Sequence, residues 1–315
     1  MKKSRVYIFA IIVISCLSSN AQQLPQFSQY MFNTISVNPA YAGSRETISV
    51  VGLYRSQWVG LEGGPSTQTL SAHSPLKNEK IGLGLSIIND QLGFENFVFA
   101  YGDFSYTIKT NENTKLAFGL KAGFTHYNLD GDNFLNEEEI TTDPFFSNIS
   151  SRWNPNLGVG VFYHSNRWYV GLSAPRILKT DYNLRGNEDG GPEYLALERI
   201  GYYLTGGYVF DLNENLKLKP STLFKVTNGA PISFDINANL LFFEKFWVGA
   251  AYRYNQDTTT LGALADFQVS KQLRIGYSYE YFLSDLRPYT SGTHEILLMF
   301  EVYKPRKRIK SPRYF

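Results

Sequence analysis

Apolar and polar residues alternate with a period of two along most of this chain. From Ile232 to Leu240 every even position is apolar, and the odd ones are Ser233, Asp235, Asn237 and Asn239. From Leu273 to Tyr281 the odd positions are apolar or aromatic, and the even ones are Arg274, Gly276, Ser278 and Glu280. Successive side chains of a strand point to opposite faces, so each such segment sets one apolar face against one polar face. The pattern predicts fourteen strands: 46–57, 66–75, 80–90, 96–109, 114–128, 154–164, 167–174, 198–210, 215–227, 231–242, 246–255, 260–268, 272–283 and 293–303.

The connections between these strands fall into two alternating sets. One is uniformly short and polar: 76–79, 110–113, 165–166, 211–214, 243–245 and 270–271. The other is 58–65, 91–95, 129–153, 175–197, 228–230, 256–259 and 284–292, and it includes long members. Short turns at one rim and longer loops at the other, joining strands with one apolar face, are the pattern of a transmembrane outer-membrane β-barrel. The expected fold is therefore all-β, with about fourteen antiparallel strands. The expected placement has both termini in the periplasm and 129–153 and 175–197 facing outward. A soluble β-sandwich is the rival, and it does not segregate its loops this strictly.

Leu116, Phe118, Leu120, Ala122 and Phe124 read as one lipid face, and Ile81, Leu83, Leu85 and Ile87 as another. Opposite them stand Ala117, Gly119, Lys121 and Gly123, and Gly82, Gly84 and Ser86. Glycine weakens a strand interior, so its recurrence on the lumen side predicts close approach of something to the inner wall. The segment before the first strand is the candidate, as a periplasmic lid or plug or as a partner-binding peptide. Within it Phe27, Tyr30 and Met31 are spaced to share one face of a short helix.

The start of the chain explains how such a barrel reaches its membrane. Met1-Lys2-Lys3-Ser4-Arg5 is basic, Val6 to Leu17 is apolar, and Ser18-Ser19-Asn20-Ala21 suits a signal peptidase. A lipoprotein reading of Val13-Ile14-Ser15-Cys16 competes with it. Cys16 is the only cysteine, so cleavage after Ala21 leaves no thiol for a disulfide, a metal site or nucleophilic catalysis. The expected division is 1–21 signal peptide, 22–45 periplasmic or plug segment, 46–303 barrel and 304–315 basic tail. The mean hydropathy of -0.23 suits a barrel whose lumen face is polar, and the 22 Tyr and 23 Phe suit two interfacial girdles.

Little in the chain points to catalysis. His164-Ser165 lies at an expected turn without an orienting acid, and no enzyme activity, cofactor or metal is expected. Asp130-Gly131-Asp132-Asn133 with Glu137-Glu138-Glu139 lacks the ligand spacing of a calcium loop and reads as a solvated acidic loop. No phosphate-binding glycine loop occurs, and no nucleic acid is expected as a partner. Arg55, Lys121, Lys225, Asp235, Arg253, Asp266, Arg274 and Glu280 fall at lumen positions. Mixed charges there argue for pairing and for a plugged or narrow barrel. The tail carries Lys304, Arg306, Lys307, Arg308, Lys310 and Arg313 without an acid, which reads as a solvated end or as a docking element for anionic lipid headgroups or an acidic partner.

Several strings occur together and in order. They are Gln26-Phe27-Ser28-Gln29-Tyr30-Met31-Phe32-Asn33, Asn38-Pro39-Ala40-Tyr41-Ala42-Gly43, Arg55-Ser56-Gln57-Trp58, Leu172-Ser173-Ala174-Pro175, Lys219-Pro220-Ser221 and the closing Ser311-Pro312-Arg313-Tyr314-Phe315. Over nearly the whole mature chain the sequence resembles the PorP/SprF family of the type IX secretion system in Bacteroidetes. The resemblance implies a non-enzymatic outer-membrane barrel that assists export and surface attachment of particular large proteins, gliding adhesins among them. It implies three protein partners: the C-terminal domain of a secreted cargo, the secretion machine and a periplasmic peptidoglycan-binding protein. The docking residues it suggests are Gln26, Phe27, Gln29, Tyr30, Asn38, Pro39 and Tyr41, with Arg306, Lys307, Arg308 and Lys310 in the tail. A passive channel or small-hydrophobe transporter is the alternative.

Overall fold

A computed structural model describes residues 25–77, 79–129, 152–181, 197–227, 230–255, 258–302 and 314. The alternating segments become β1 (Ile48–Ser56), β2 (Ser66–Pro75), β3 (Ile81–Leu92), β4 (Glu95–Lys109), β5 (Thr114–Leu129), β6 (Arg152–Ser165) and β7 (Trp168–Ala174). A two-residue pairing of β8 (Thr180–Asp181) with β9 (Leu197–Glu198) follows. The wall continues with β10 (Gly201–Tyr208), β11 (Phe210–Asn213), β12 (Leu216–Thr227), β13 (Ser233–Phe242) and β14 (Phe246–Tyr254), and ends with β15 (Thr260–Gln268), β16 (Leu273–Phe282) and β17 (Thr293–Val302).

Each wall strand pairs antiparallel with its neighbours in sequence, and the sheet closes on itself. β1 pairs with β17 from Ile48 opposite Val302 to Ser56 opposite His294, and β10 pairs with both β7 and β12. β10 and β11 are one strand in one register: Gly207 stands opposite Ser221 and Phe210 opposite Leu218. That register sets Tyr208 against Pro220, which has no N–H to donate, and there the pairing lapses. The result is a closed barrel of fourteen strands, as the sequence pattern predicts.

Burial is inverted relative to a soluble domain. In β13 Ser233, Asp235, Asn237 and Asn239 are buried, while Ile236 is 51 % exposed. Leu120 and Leu172 are 59 % and 57 % exposed. Such a belt is stable only against lipid. Outward Tyr54, Tyr202, Tyr252 and Tyr254 band one rim, and Tyr106, Phe246 and Phe267 the other. The short turns lie at the second rim and the long connections at the first.

The core lies inside the barrel and is built on residues 25–46. Phe27, Tyr30, Met31, Phe32 and Val37 pack with the inward Val51, Leu53, Leu223, Trp247, Leu297 and Met299. Ile35, Ala40, Tyr41 and Ala42 pack with Ala117, Phe162 and Tyr169. The expected helix over Phe27, Tyr30 and Met31 does not form. Phe32 donates to the Gln29 carbonyl and Asn33 to that of Tyr30, so the chain makes successive four-residue turns. Two short 3-10 turns follow, Thr34–Ser36 and Pro39–Tyr41. Phe27, Tyr30 and Met31 are buried all the same.

Candidate functional site

The site is the contact between this segment and the inner wall. All eight lumen charges read from the sequence are buried. At the level of the long connections Arg55 reaches Glu280 at 2.6 Å and Glu295 at 3.1 Å. Arg253 reaches Asp235 at 2.8 Å and Glu280 at 2.9 Å. The segment completes this network. The N–H groups of Ser28 and Gln29 donate to the two oxygens of Glu295 at 2.9 and 2.8 Å. The Ser28 hydroxyl donates to Glu280 and accepts from Arg55, and Arg253 donates to the Phe27 carbonyl. Charges in a low-dielectric interior are tolerable only when paired and hydrogen-bonded, and the segment supplies the bonds that the wall lacks.

Lys225, opposite Ser233, stands at the same level, and the remaining lumen charges lie lower. Lys121 pairs with Asp103 at 2.8 Å. Arg274 and Lys219 lie over the Phe32 ring, 5.1 and 5.3 Å from its centre, a cation–π arrangement. Asp266 and Lys225 line the same interior and are buried.

The proposed docking residues of the segment point into the wall. Gln26 donates to the Ser233 hydroxyl, and Tyr30 accepts from Asn237. Gln29 is fully buried. Asn38 caps the Pro39–Tyr41 turn by accepting from the Ala40 N–H, and its amide donates to the Val161 carbonyl. Pro39 opens that turn, and Tyr41 meets His73 and Phe162 edge-on. The lumen glycines make the trough: a Cβ at Gly119 would lie 2.1 Å from the Ala40 nitrogen, and one at Gly82 2.1 Å from the Ala42 carbonyl oxygen. At the short-turn rim Arg45 pairs with Glu301 at 2.7 Å, and Gly43 donates to His73 Nδ1.

Several contributors escaped the sequence reading. Glu295 and Glu301 share the inward parity of Leu297 and Met299 on β17, and Asp103 shares that of Tyr101 and Ser105 on β4, so strict alternation finds them. Arg45 and Ser28 lie outside any strand and give no such signal. Lys219 stands beside the irregular Pro220. Of the tail, only Tyr314 is among the described residues; Arg306, Lys307, Arg308 and Lys310 lie outside them, as do the signal peptide, the acidic stretch 130–139 and most of 129–153 and 175–197. Tyr314 returns to the short-turn rim, where Lys217 donates to its hydroxyl and Lys219 to its carbonyl.

The described chain ends therefore lie apart. Pro25 is at the rim of the long connections and Tyr314 at the rim of the short turns. Between them the segment runs through the barrel from one rim toward the other. His164-Ser165 has a structural role, since the Ser165 hydroxyl accepts from the Arg167 and Trp168 N–H groups of the turn. Among the described residues no three metal-ligating side chains come together.

The profile of the type IX secretion system membrane protein PorP/SprF matches residues 19–300. The chain belongs to this family. The N-terminal block that lines the PorP/SprF lumen here, Gln26–Asn33 and Asn38–Gly43, thus falls inside the family match. No curated protein matches the chain. Among solved structures, the CymD monoaromatic hydrocarbon channel is 11 % identical with a TM-score of 0.52, covering 89 % of this chain and 94 % of its own. The Ralstonia pickettii toluene transporter TbuX is 14 % identical at 0.48, covering 87 % and 93 %. The Acinetobacter baumannii outer membrane protein Omp33 is 9 % identical at 0.48, covering 82 % and 98 %. At these identities the likeness to CymD shows the outer-membrane barrel fold alone.

Proposed function

We propose that this PorP/SprF barrel is a platform of the type IX secretion system and not a conduit. It assists export of particular large proteins, gliding adhesins among them, and holds their C-terminal domains at the surface. The observation that carries the reading is the filled interior. Gln29, Asn38, Lys219 and Asn239 are wholly buried, and a lumen whose wall charges bind the chain's own backbone offers no passage to cargo. Work is then left to the two rims. The long connections face outward, as in bacterial barrels generally, and rigid strands suit them to hold a partner. The short-turn rim, with the basic tail, faces the periplasm and meets the secretion machine, a peptidoglycan-binding protein and anionic lipid headgroups.

Affinity purification after crosslinking in native outer membranes, read by mass spectrometry, tests this. Recovery of a large secreted protein through its C-terminal domain, with machine components, is the expected result. Recovery of only barrel-assembly factors and lipopolysaccharide, with steady conductance in planar bilayers, would instead favour a passive channel or small-hydrophobe transporter.

A further inference from the structure

The direction in which residues 25–46 traverse the barrel sets the mouth at which Pro25 lies. The anchors of Gln26, Phe27 and Ser28 are Ser233, Arg253, Glu280 and Glu295. Each lies within three residues of a strand end at the long-connection rim. The anchors of Gly43 and Arg45 are His73 and Glu301, equally near the short-turn rim. Glu295 and Glu301 lie on the same strand, six residues or about 20 Å apart along it. The segment thus descends from the long-connection mouth to the short-turn mouth, and β1 then climbs back.

At its upper end Pro25 borders a cavity of about 40 Å3 with Phe27, Phe99, Pro175, Arg176 and Tyr203. Pro175 and Arg176 begin the connection after β7, one of the two long ones, and Arg176 stacks on Phe99 at 4.2 Å. Pro25 therefore sits at the root of a connection that the proposed function assigns to cargo.

We propose that the mature amino end emerges at the cell surface through the long-connection mouth, where it forms part of the face that receives the exported protein. The periplasmic side is then left to the short turns and the carboxyl end. The inference rests on the orientation given under the proposed function, and its test separates the two.

Three full-length variants each carry one short epitope: after Gln22, after Glu62 in the β1–β2 connection, or after Glu112 in the β4–β5 turn. Antibody binding is measured on intact and on permeabilised cells, with assembly checked by heat-modifiable mobility. The expected result is binding on intact cells to the Gln22 and Glu62 tags, with the Glu112 tag reached only after permeabilisation. A Gln22 tag that needs permeabilisation while the Glu62 tag does not overturns the proposal and leaves the orientation standing. Binding on intact cells to the Glu112 tag and not to the Glu62 tag overturns both.

Discussion

Glu295, on the last strand, accepts the backbone N–H groups of Ser28 and Gln29, one on each carboxylate oxygen. The same carboxylate pairs with Arg55 on the first strand, so it fastens the inner segment to the seam that closes the barrel. Removing one member of a buried ion pair costs about 3–5 kcal/mol, because the partner charge is left uncompensated. Glu295→Ala should therefore lower the urea midpoint of the detergent-solubilised barrel, followed by tryptophan fluorescence. Glu295→Gln, which keeps acceptor capacity without charge, should fall between that variant and the parent. An unchanged midpoint for Glu295→Ala would show that the seam does not depend on this anchor.

Gly119 offers a sharper probe of the segment alone. Any Cβ there would collide with the Ala40 nitrogen, and backbone cannot yield as a flexible side chain would. Alanine itself suits the wall, since Gly119 stands opposite Ser105 and Gly160 in an ordinary antiparallel register. Gly119→Ala should thus leave the barrel closed while lifting residues 38–42 from their trough. Limited proteolysis in micelles should cut the variant between residues 33 and 46 much faster than the parent, with heat-modifiable mobility retained. Equal cutting rates would remove the close approach from the argument.

The wall was legible because its solvent environment is so asymmetric. Lipid on one side and a polar interior on the other impose a period of two that survives every change of residue type, and it located the fourteen strands to within a few residues. The closed lumen was legible only in part. Mixed charges at Arg55, Asp235, Arg253 and Glu280 signalled pairing, and Gly82 and Gly119 signalled something close by. The path of the segment was not legible. Residues 25–46 have no period, because each contact is set by the wall position it meets: Ser71 donates to the Asn33 side chain, Ser173 to the Val37 carbonyl and Ser105 to the Ala42 carbonyl. Those partners stand tens of residues away in sequence, so no local pattern records the direction of threading.

Lys219 links the inner segment to Tyr314. Its ammonium group lies over Phe32 of the inner segment and donates to the carbonyl of Tyr314. Lys219→Met keeps the length of the stem and removes the donor and the charge. Tyr314 then keeps its packing against the core and the contact of Lys217 with its hydroxyl and ring, but loses the bond to its carbonyl. Carboxypeptidase digestion of the solubilised protein should release terminal residues faster in Lys219→Met, and faster still with Tyr314→Ala. If Tyr314→Ala matches the parent, the contact does not protect the carboxyl end.

Deleting residues 26–45 tests the filled lumen most directly. The deletion leaves the strands intact but strips the wall charges of the backbone groups they bind and exposes Trp247, Leu241 and Met299 to water. Burial of apolar side chains of this size contributes roughly 1.5–3 kcal/mol each, so the shortened barrel should unfold at lower urea. Where it still shows heat-modifiable mobility, it should conduct ions steadily in planar bilayers while the parent stays closed, and Gly119→Ala, with the segment loosened but present, should open only in brief events. Two results would count against the platform reading. Steady conductance by the parent would mean that the segment leaves the lumen open under voltage. A deletion variant that supports normal surface display of cargo would mean that the interior contact serves assembly alone.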